Sequence, residues 1–332
     1  MNTVEIMGGL GNQLFQIFAL IAYSLKHQTP FYFSQEPIKN GQRKQTYWST
    51  PLLQALQQFI KANDSASLLF REPNFHYNAL PAPPPNKPPI KLYGYFQSYK
   101  YFQEQQAEIY KLFHLNENRK KMFEATKNQY NYAITLAMHF RLGDYIKLPN
   151  HHPLMPLAYY TQALMNLLQT AAAKATTLEQ AQQQTVQQFN VLYFCEQADE
   201  AYIQKQMITP LQENPLFHNR FTFQCINHQF QDWEQLLIMS LCEAGHIIAN
   251  STFSWWGAYL SEEATAPINI SPDKGGLRAC FAEACFAGGS TPDKGGLRGS
   301  TPVYYPKTWF GSAMGNKNMQ DLFPPHWPRI DI

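Results

Sequence analysis

The chain has 332 residues, room for two domains, with 45% hydrophobic and 14% aromatic side chains against only 15% Asp, Glu, Lys and Arg, and a formal net charge of +2. That composition describes a packed globular protein and excludes global disorder, while a charge so near zero, with no Lys/Arg-rich run, argues against a nucleic-acid partner. The opening MNTVEIMGGLGNQ has no basic stretch, apolar core or small-residue cleavage site, and no long uninterrupted apolar run follows, so the expectation is a soluble cytoplasmic chain without signal peptide or transmembrane segment.

TVEIM (3–7) reads as a short buried strand, GGLGNQ (8–13) as a turn, and LFQIFALIAYSLKH as a helix with Leu14, Phe15, Phe18, Ala22 and Leu25 on one face. FYF (31–33) begins the next strand, which makes a βαβ opening. PAPPPNKPP (81–89) is too proline-rich for helix or central strand and reads as a surface loop. IKLYGYFQSYKYF gives an aromatic strand, followed by a polar helix over about 103–128.

A second alternating block follows. Its candidate strands are ITLAMHF (134–140), FNVLYFCE (189–196), FTFQCI (221–226) and HIIAN (246–250), separated by PLAYYTQALMNLLQ, ADEAYIQKQM and DWEQLLIMSLCEA, with a last helix after Ser251. Apolar strands alternating with helices predict parallel sheets covered on both faces. The expected architecture is α/β, with two Rossmann-like domains facing across a cleft: residues 1–125, residues 126–311 and a C-terminal tail, 312–332. PDKGGLR occurs at 272–278 and again at 292–298. Two copies are too few for a solenoid, so 268–301 reads as an inserted loop. The five cysteines, at 195, 225, 242, 280 and 285, lack CxxC spacing, which argues against a disulfide framework or a zinc site.

Three polar clusters fall where strands of an open α/β sheet should end, the usual place for a ligand. In GGLGNQ, Gly9 and Gly11 let backbone approach a ligand closely, and Asn12 and Gln13 sit at a helix N-terminus; Leu14 stands where a dinucleotide fingerprint needs its third glycine, which disfavours a nicotinamide oxidoreductase. In HFRLGDY, His139 reads as either a core histidine or a ligand contact. Arg141 can grip phosphate oxygens with its planar fork, and Asp144 either orients it or takes a proton. In ANSTFSWWGAYL, Ser251, Thr252 and Ser254 offer more hydroxyls than one helix cap uses. There is no DxD motif and no GxxxxGK[ST] loop, so no metal or other cofactor is expected.

GGLGNQLFQ, GYFQSYKYF, HFRLGDY, YFCE, IIANSTFSWWGAYL and YPKTWFG (305–311), in that order, resemble the motifs of the family-11 α-1,2-fucosyltransferases. The resemblance implies a GT-B architecture and inverting, metal-independent transfer of L-fucose from GDP-β-L-fucose to the 2-hydroxyl of a terminal galactose. It implies a nucleotide-sugar donor and a galactose-terminated glycan as partners, with room for peripheral membrane association through a lipid-linked acceptor. Carried onto this chain, it places Arg141 on the β-phosphate and His139 and Gly143 near the nucleotide. Glu196 falls near the nucleoside, Asn250, Ser251, Thr252 and Ser254 near phosphate or fucose, and Gly9, Gly11, Asn12 and Gln13 on the first domain. Arg141, Asp144 and Asn12 are the catalytic candidates. The chain departs from the pattern at Leu142, where many members carry a second arginine, at Cys195-Glu196-Gln197, which leaves one carboxylate, and at Gly245-His246. Readings that stay open are a fucosyltransferase of another linkage, α-1,6 or O-fucosyl, and a catalytically weak GDP-sugar-binding protein.

Overall fold

Parallel strands organise both halves of the chain in the computed structural model, which describes residues 1–35, 45–62, 68–83, 88–173, 188–262 and 301–332. The PDKGGLR repeat, together with Cys280 and Cys285, lies outside the described residues, as do 84–87 of the proline-rich stretch. The described residues divide into two compact units, the first comprising Met1–Lys120 and Lys317–Pro324 and the second 121–262, 301–316 and 325–332.

In the first unit β1 (Thr3–Val4) pairs in parallel with β5 (Ile90–Tyr93), which pairs with β4 (Leu68–Arg71), while β2 (Phe33–Ser34) pairs separately with β3 (Ile60–Lys61). The βαβ opening exists in reduced form, as one parallel bridge from Asn2 to Phe31 across helix α1 (Leu10–Lys26). The sequence pattern suggested a one-faced helix, but from Leu10 to Ser24 every residue of α1 except Asn12 is buried. Polar residues can be enclosed there because they are paired: the Gln16 side-chain amide meets the backbone N–H and C=O of Met7 at 2.8 and 3.3 Å, acting as a strand neighbour for the end of β1. The long helix expected over 103–128 is instead two, α2 (Gln106–Leu112) and α3 (Leu115–Thr126). His114 adopts a left-handed φ of 49° between them, which a continuing α-helix does not permit.

The second unit holds β6 (Thr135–His139), α4 (Leu157–Ala173), β7 (Phe189–Phe194), α5 (residues 200–213, widened by a π turn over Gln204–Ile208) and β8 (Phe221–Cys225). It continues with α6 (Asp232–Leu241), β9 (Gly245–Ile247), α7 (Thr252–Tyr259), β10 (Val303–Pro306) and β11 (Arg329–Ile330). All six strands are parallel, in the order β11-β10-β9-β6-β7-β8. Leu136 and Met138 of β6 and Trp255 and Trp256 of α7 are fully buried. The Tyr159 hydroxyl of α4 lies 2.6 Å from the Ile248 carbonyl and 3.0 Å from that of Tyr304, tying the ends of β9 and β10 to the helix above them. Among the described residues no helix is long and apolar enough to cross a membrane.

Candidate functional site

The chain leaves β6 towards β7 and β8 on one side and returns to β9, β10 and β11 on the other, so the strand order switches between β6 and β9. In an open parallel sheet the carboxyl ends at such a switch diverge and leave a crevice for a ligand. Register fixes what stands there. Met138 is level with Ile247 on one side and His139 with Phe194 on the other. Two residues further along, Arg141 therefore comes level with Glu196 after β7, and continuing the β6–β9 register sets it level with Asn250 on the other flank.

The Arg141 side chain, 13% exposed, pairs through Nη1 with Glu196 and through Nη2 with Asp144. Its Cζ lies 4.9 Å from the centre of the Tyr145 ring. Two carboxylates and an aromatic face hold the guanidinium charged, and the neighbouring negative charges raise its pKa further despite burial, which acts the other way. These bonds use one hydrogen on each terminal nitrogen and leave the Nε–H and the other two outside them, which are donors for an anion. Asp144 is thus engaged as an anchor of Arg141. Gly143 turns the chain with φ +45°, and its N–H donates to Asp199 at 2.9 Å; a Cβ there would meet a Glu196 oxygen at 2.9 Å.

His139 is buried against Phe253 of α7, ring centres 5.6 Å apart, with Nδ1 buried and unpartnered among the described residues. Burial, with the Arg141 charge behind it, pulls its pKa down to about 3, so it is a neutral imidazole at physiological pH. Asn250 donates to the carbonyls of Pro153 at 2.9 Å and Trp309 at 3.2 Å, and its Oδ1 is buried without a partner among the described residues. The hydroxyls expected to exceed one cap divide their work: Ser251 Oγ caps α7 by accepting from Phe253 N at 3.3 Å, whereas the fully buried Ser254 donates back to the Ser251 and Ala249 carbonyls. Thr252, half-buried, opens the helix between them.

Part of this chain is similar to a known protein. Over 195 residues it is 27% identical to "O-antigen biosynthesis glycosyltransferase WbnK" of Escherichia coli, a match covering 55% of this chain and 54% of that protein, so the likeness spans about half the length of each. No protein-family model matches. Among solved structures, an arginine-to-lysine mutant of Arabidopsis thaliana FUT1 in complex with GDP aligns over 78% of this chain and 68% of its own, at 14% identity and a TM-score of 0.39.

Sequence reasoning missed the residues that brace the strand-end loop. Tyr145, beneath Arg141, donates to the Asn250 carbonyl at 3.3 Å and stacks on His152, ring centres 4.4 Å apart. His152, which no motif singles out, is thus a wall of this site. Gly311, in YPKTWFG, donates to the His151 carbonyl at 2.8 Å, and a Cβ on it would lie 2.3 Å from the Asn150 oxygen. A polar or glycine residue in a loop betrays its role only when the packed partner is known, and Asn250 and Gly311 lie more than a hundred residues from Tyr145 and His151.

In the first unit the glycine turn is partly self-supporting. Gly8 has φ +78°, a conformation that favours glycine, and a Cβ would strike Asn12. Gly9 precedes the first residue of α1, and Gly11 is buried in its first turn. Gln13 Nε2 donates to the carbonyls of Gly8 at 2.9 Å and Gln45 at 2.7 Å, so the amide first seen as a ligand donor is spent on the turn. Asn12 accepts from Gln97 at 2.9 Å. Beside them Glu72, just past β4, accepts the N–H groups of Tyr95 and Phe96, and burial raises its pKa in spite of them.

Proposed function

We propose that the protein is an inverting glycosyltransferase that transfers L-fucose from GDP-β-L-fucose to the 2-hydroxyl of a terminal galactose in a glycan. The observation that carries this reading is Arg141: a guanidinium braced by Glu196, Asp144 and Tyr145, with N–H donors outside those bonds, at the switch point of a parallel sheet. The partial likeness to an O-antigen glycosyltransferase and the ordered fucosyltransferase-like motifs point the same way, and only those motifs speak for fucose and for the linkage.

As the bond from fucose C1 to the phosphate oxygen breaks, the sugar gains oxocarbenium character and the GDP oxygens gain charge. Fixed donors stabilise that charge without reorganising at the moment of reaction, and loss of one typically costs about 10²–10³ in rate. Arg141 takes this part at the β-phosphate, with Ser251 and Thr252 at the start of α7 beside it. His139, neutral, can donate or accept one hydrogen bond but brings no charge. Asp144 acts as an anchor, so its role as base is the less favoured one; an Asp144→Asn enzyme that keeps the acidic limb of the pH–rate profile fits the anchor.

The test is a donor and acceptor screen, GDP-fucose against GDP-mannose with lactose, N-acetyllactosamine and a type 1 chain, followed by linkage analysis of the product. GDP-fucose consumption with an α-1,2-linked product is expected. An α-1,6 product would move the chain to another linkage class, and GDP-fucose binding without turnover on any galactoside would make it a binding protein.

A further inference from the structure

We propose that Cys195, Cys225 and His228, with Glu200 completing the set, form a binding site for a thiophilic divalent cation such as zinc at the β7–β8 edge of the second sheet. The ligand atoms of the two cysteines and the histidine all lie within 4.8 Å of one another. Cys225 Sγ is 3.5 Å from His228 Nε2, and that nitrogen is 3.2 Å from a Glu200 oxygen. A tetrahedral zinc ion, with Zn–S near 2.3 Å and Zn–N near 2.0 Å, sets its ligand atoms roughly 3.3–3.8 Å apart. Two of the measured separations are already close to that, and the two sulfurs need only a modest inward movement, while Glu200 lies outside the 4.8 Å group and reaches it through His228.

The spacing in sequence concealed this cluster, since thirty positions separate the two cysteines and no CxxC pair exists. Strand pairing brings them together. Cys225 ends β8 level with Tyr193, and the N–H of Ile226 donates to the Tyr193 carbonyl at 2.9 Å. Two residues past Tyr193 the period-two alternation of a strand turns Cys195 to the same face as Tyr193 and hence as Cys225. His228 follows Cys225 across a short turn, and Glu200 opens α5 above them. Cys195 is buried, Cys225 half-buried, and the His228 side chain 15% exposed, while Glu200 remains 43% exposed as the open side through which an ion would enter. A core that needed only small apolar side chains here would not set an imidazole, itself paired with a carboxylate, beside two thiols. The donor set, two sulfurs, one nitrogen and one oxygen, suits zinc better than magnesium or calcium, which take oxygen.

The site is separate from the proposed phosphate grip but covalently next to it. Cys195 precedes Glu196, which holds Arg141. A cation on Cys195 would fix the strand end that positions that carboxylate, a structural part that leaves metal-independent transfer intact.

The experiment uses the full chain, reduced and chelator-treated, in a Cys280→Ser/Cys285→Ser background, titrated with cobalt(II) and then zinc. Binding of about one cobalt per chain, with thiolate charge-transfer and tetrahedral d–d absorption displaced by zinc, is expected. His228→Ala and Cys225→Ser should each abolish those bands, and Glu200→Gln, which keeps an oxygen but loses its charge, should weaken zinc binding. Circular dichroism establishes that each variant is folded, and with two ligands tested separately a folding failure in one does not end the test. Absence of stoichiometric binding in the reduced chain, or cobalt spectra unchanged in folded His228→Ala, overturns the site. Neither readout involves fucosyl transfer, so its failure and that of the proposed function are separable.

Discussion

The Tyr145 ring lies beneath the Arg141 guanidinium, 4.9 Å from Cζ to its centre, so the strand-end guanidinium is held from below by an aromatic face and from the sides by two carboxylates. A fork braced in this way presents a fixed set of N–H donors. Arg141→Ala should lower turnover by about 10²–10³. Arg141→Lys should not restore it, because an ammonium neither stacks on Tyr145 nor reaches both carboxylates and a phosphate at once. Steady-state rates with GDP-fucose decide this, and a lysine enzyme with most of the wild-type activity would refute the clamp.

Tyr145 itself separates ring from hydroxyl. Tyr145→Phe removes the bond to the Asn250 carbonyl but keeps the face under Arg141, and it should retain near-normal GDP affinity. Tyr145→Leu removes the face, worth roughly 0.5–2 kcal/mol for such a contact, and should weaken GDP binding a few-fold to about thirtyfold by calorimetry. Equal affinities in the two variants would mean that the ring contributes nothing to the grip.

The course of the sheet was legible in the sequence. ITLAMHF, FNVLYFCE and FTFQCI all became strands, because continuous apolar runs between helical segments have few other homes, and the carboxyl end of β6 was found through HFRLGDY. What lies across the sheet was not. Arg141 was visible, but its pairing with Glu196 depends on the register of β6 with β7, and Cys195 with Cys225 on that of β7 with β8. Gln13 and Ser254 read as ligand donors because polar residues beside a turn look alike whether they face a ligand or close the turn on itself. Here both are fully buried and bonded to backbone carbonyls.

Leu142 shows the same dependence on packing. It stands where the fucosyltransferases that these motifs resemble often carry a second arginine, yet its side chain is 5% exposed and belongs to the core that includes Met138, Met155 and Tyr159. Leu142→Arg should therefore add no phosphate contact. It should forfeit the burial of a leucine, about 1.5–3 kcal/mol, and force a charge against the core as well. Urea unfolding and GDP titration test both parts; an arginine variant of unchanged stability with tighter GDP binding would show that this position does reach the ligand.

Gly311 is constrained by contact and not by its backbone angles, since φ is −82°. A methyl group there would press on the Asn150 carbonyl, with 2.3 and 2.5 Å to its oxygen and carbon. Backbone cannot step aside as a flexible side chain can. Gly311→Ala should cost roughly 1–3 kcal/mol of stability and loosen the loop that carries His152 under Tyr145. Hydrogen exchange at Asn150–His152, faster in the variant, would report the loosening directly, and unchanged exchange with unchanged stability would rule it out.

His139 predicts how stability responds to acid. Its folded pKa of about 3 lies below the 6.5 of an exposed imidazole. Between these values the unfolded chain binds a proton that the native protein refuses, so stability rises with pH across that window and is lost as pH falls below 6.5. At pH 5 the deficit from this residue is about 2 kcal/mol, from a difference of roughly one and a half pH units at 1.36 kcal/mol each. His139→Gln lacks the proton site altogether. Between pH 7.5 and pH 5 the wild type should lose about 2 kcal/mol more than His139→Gln, measured by urea unfolding at each pH, whatever the variant's absolute stability. Parallel losses in the two proteins would show that His139 takes up its proton in the folded state, and with it that the imidazole beside Arg141 is not held neutral.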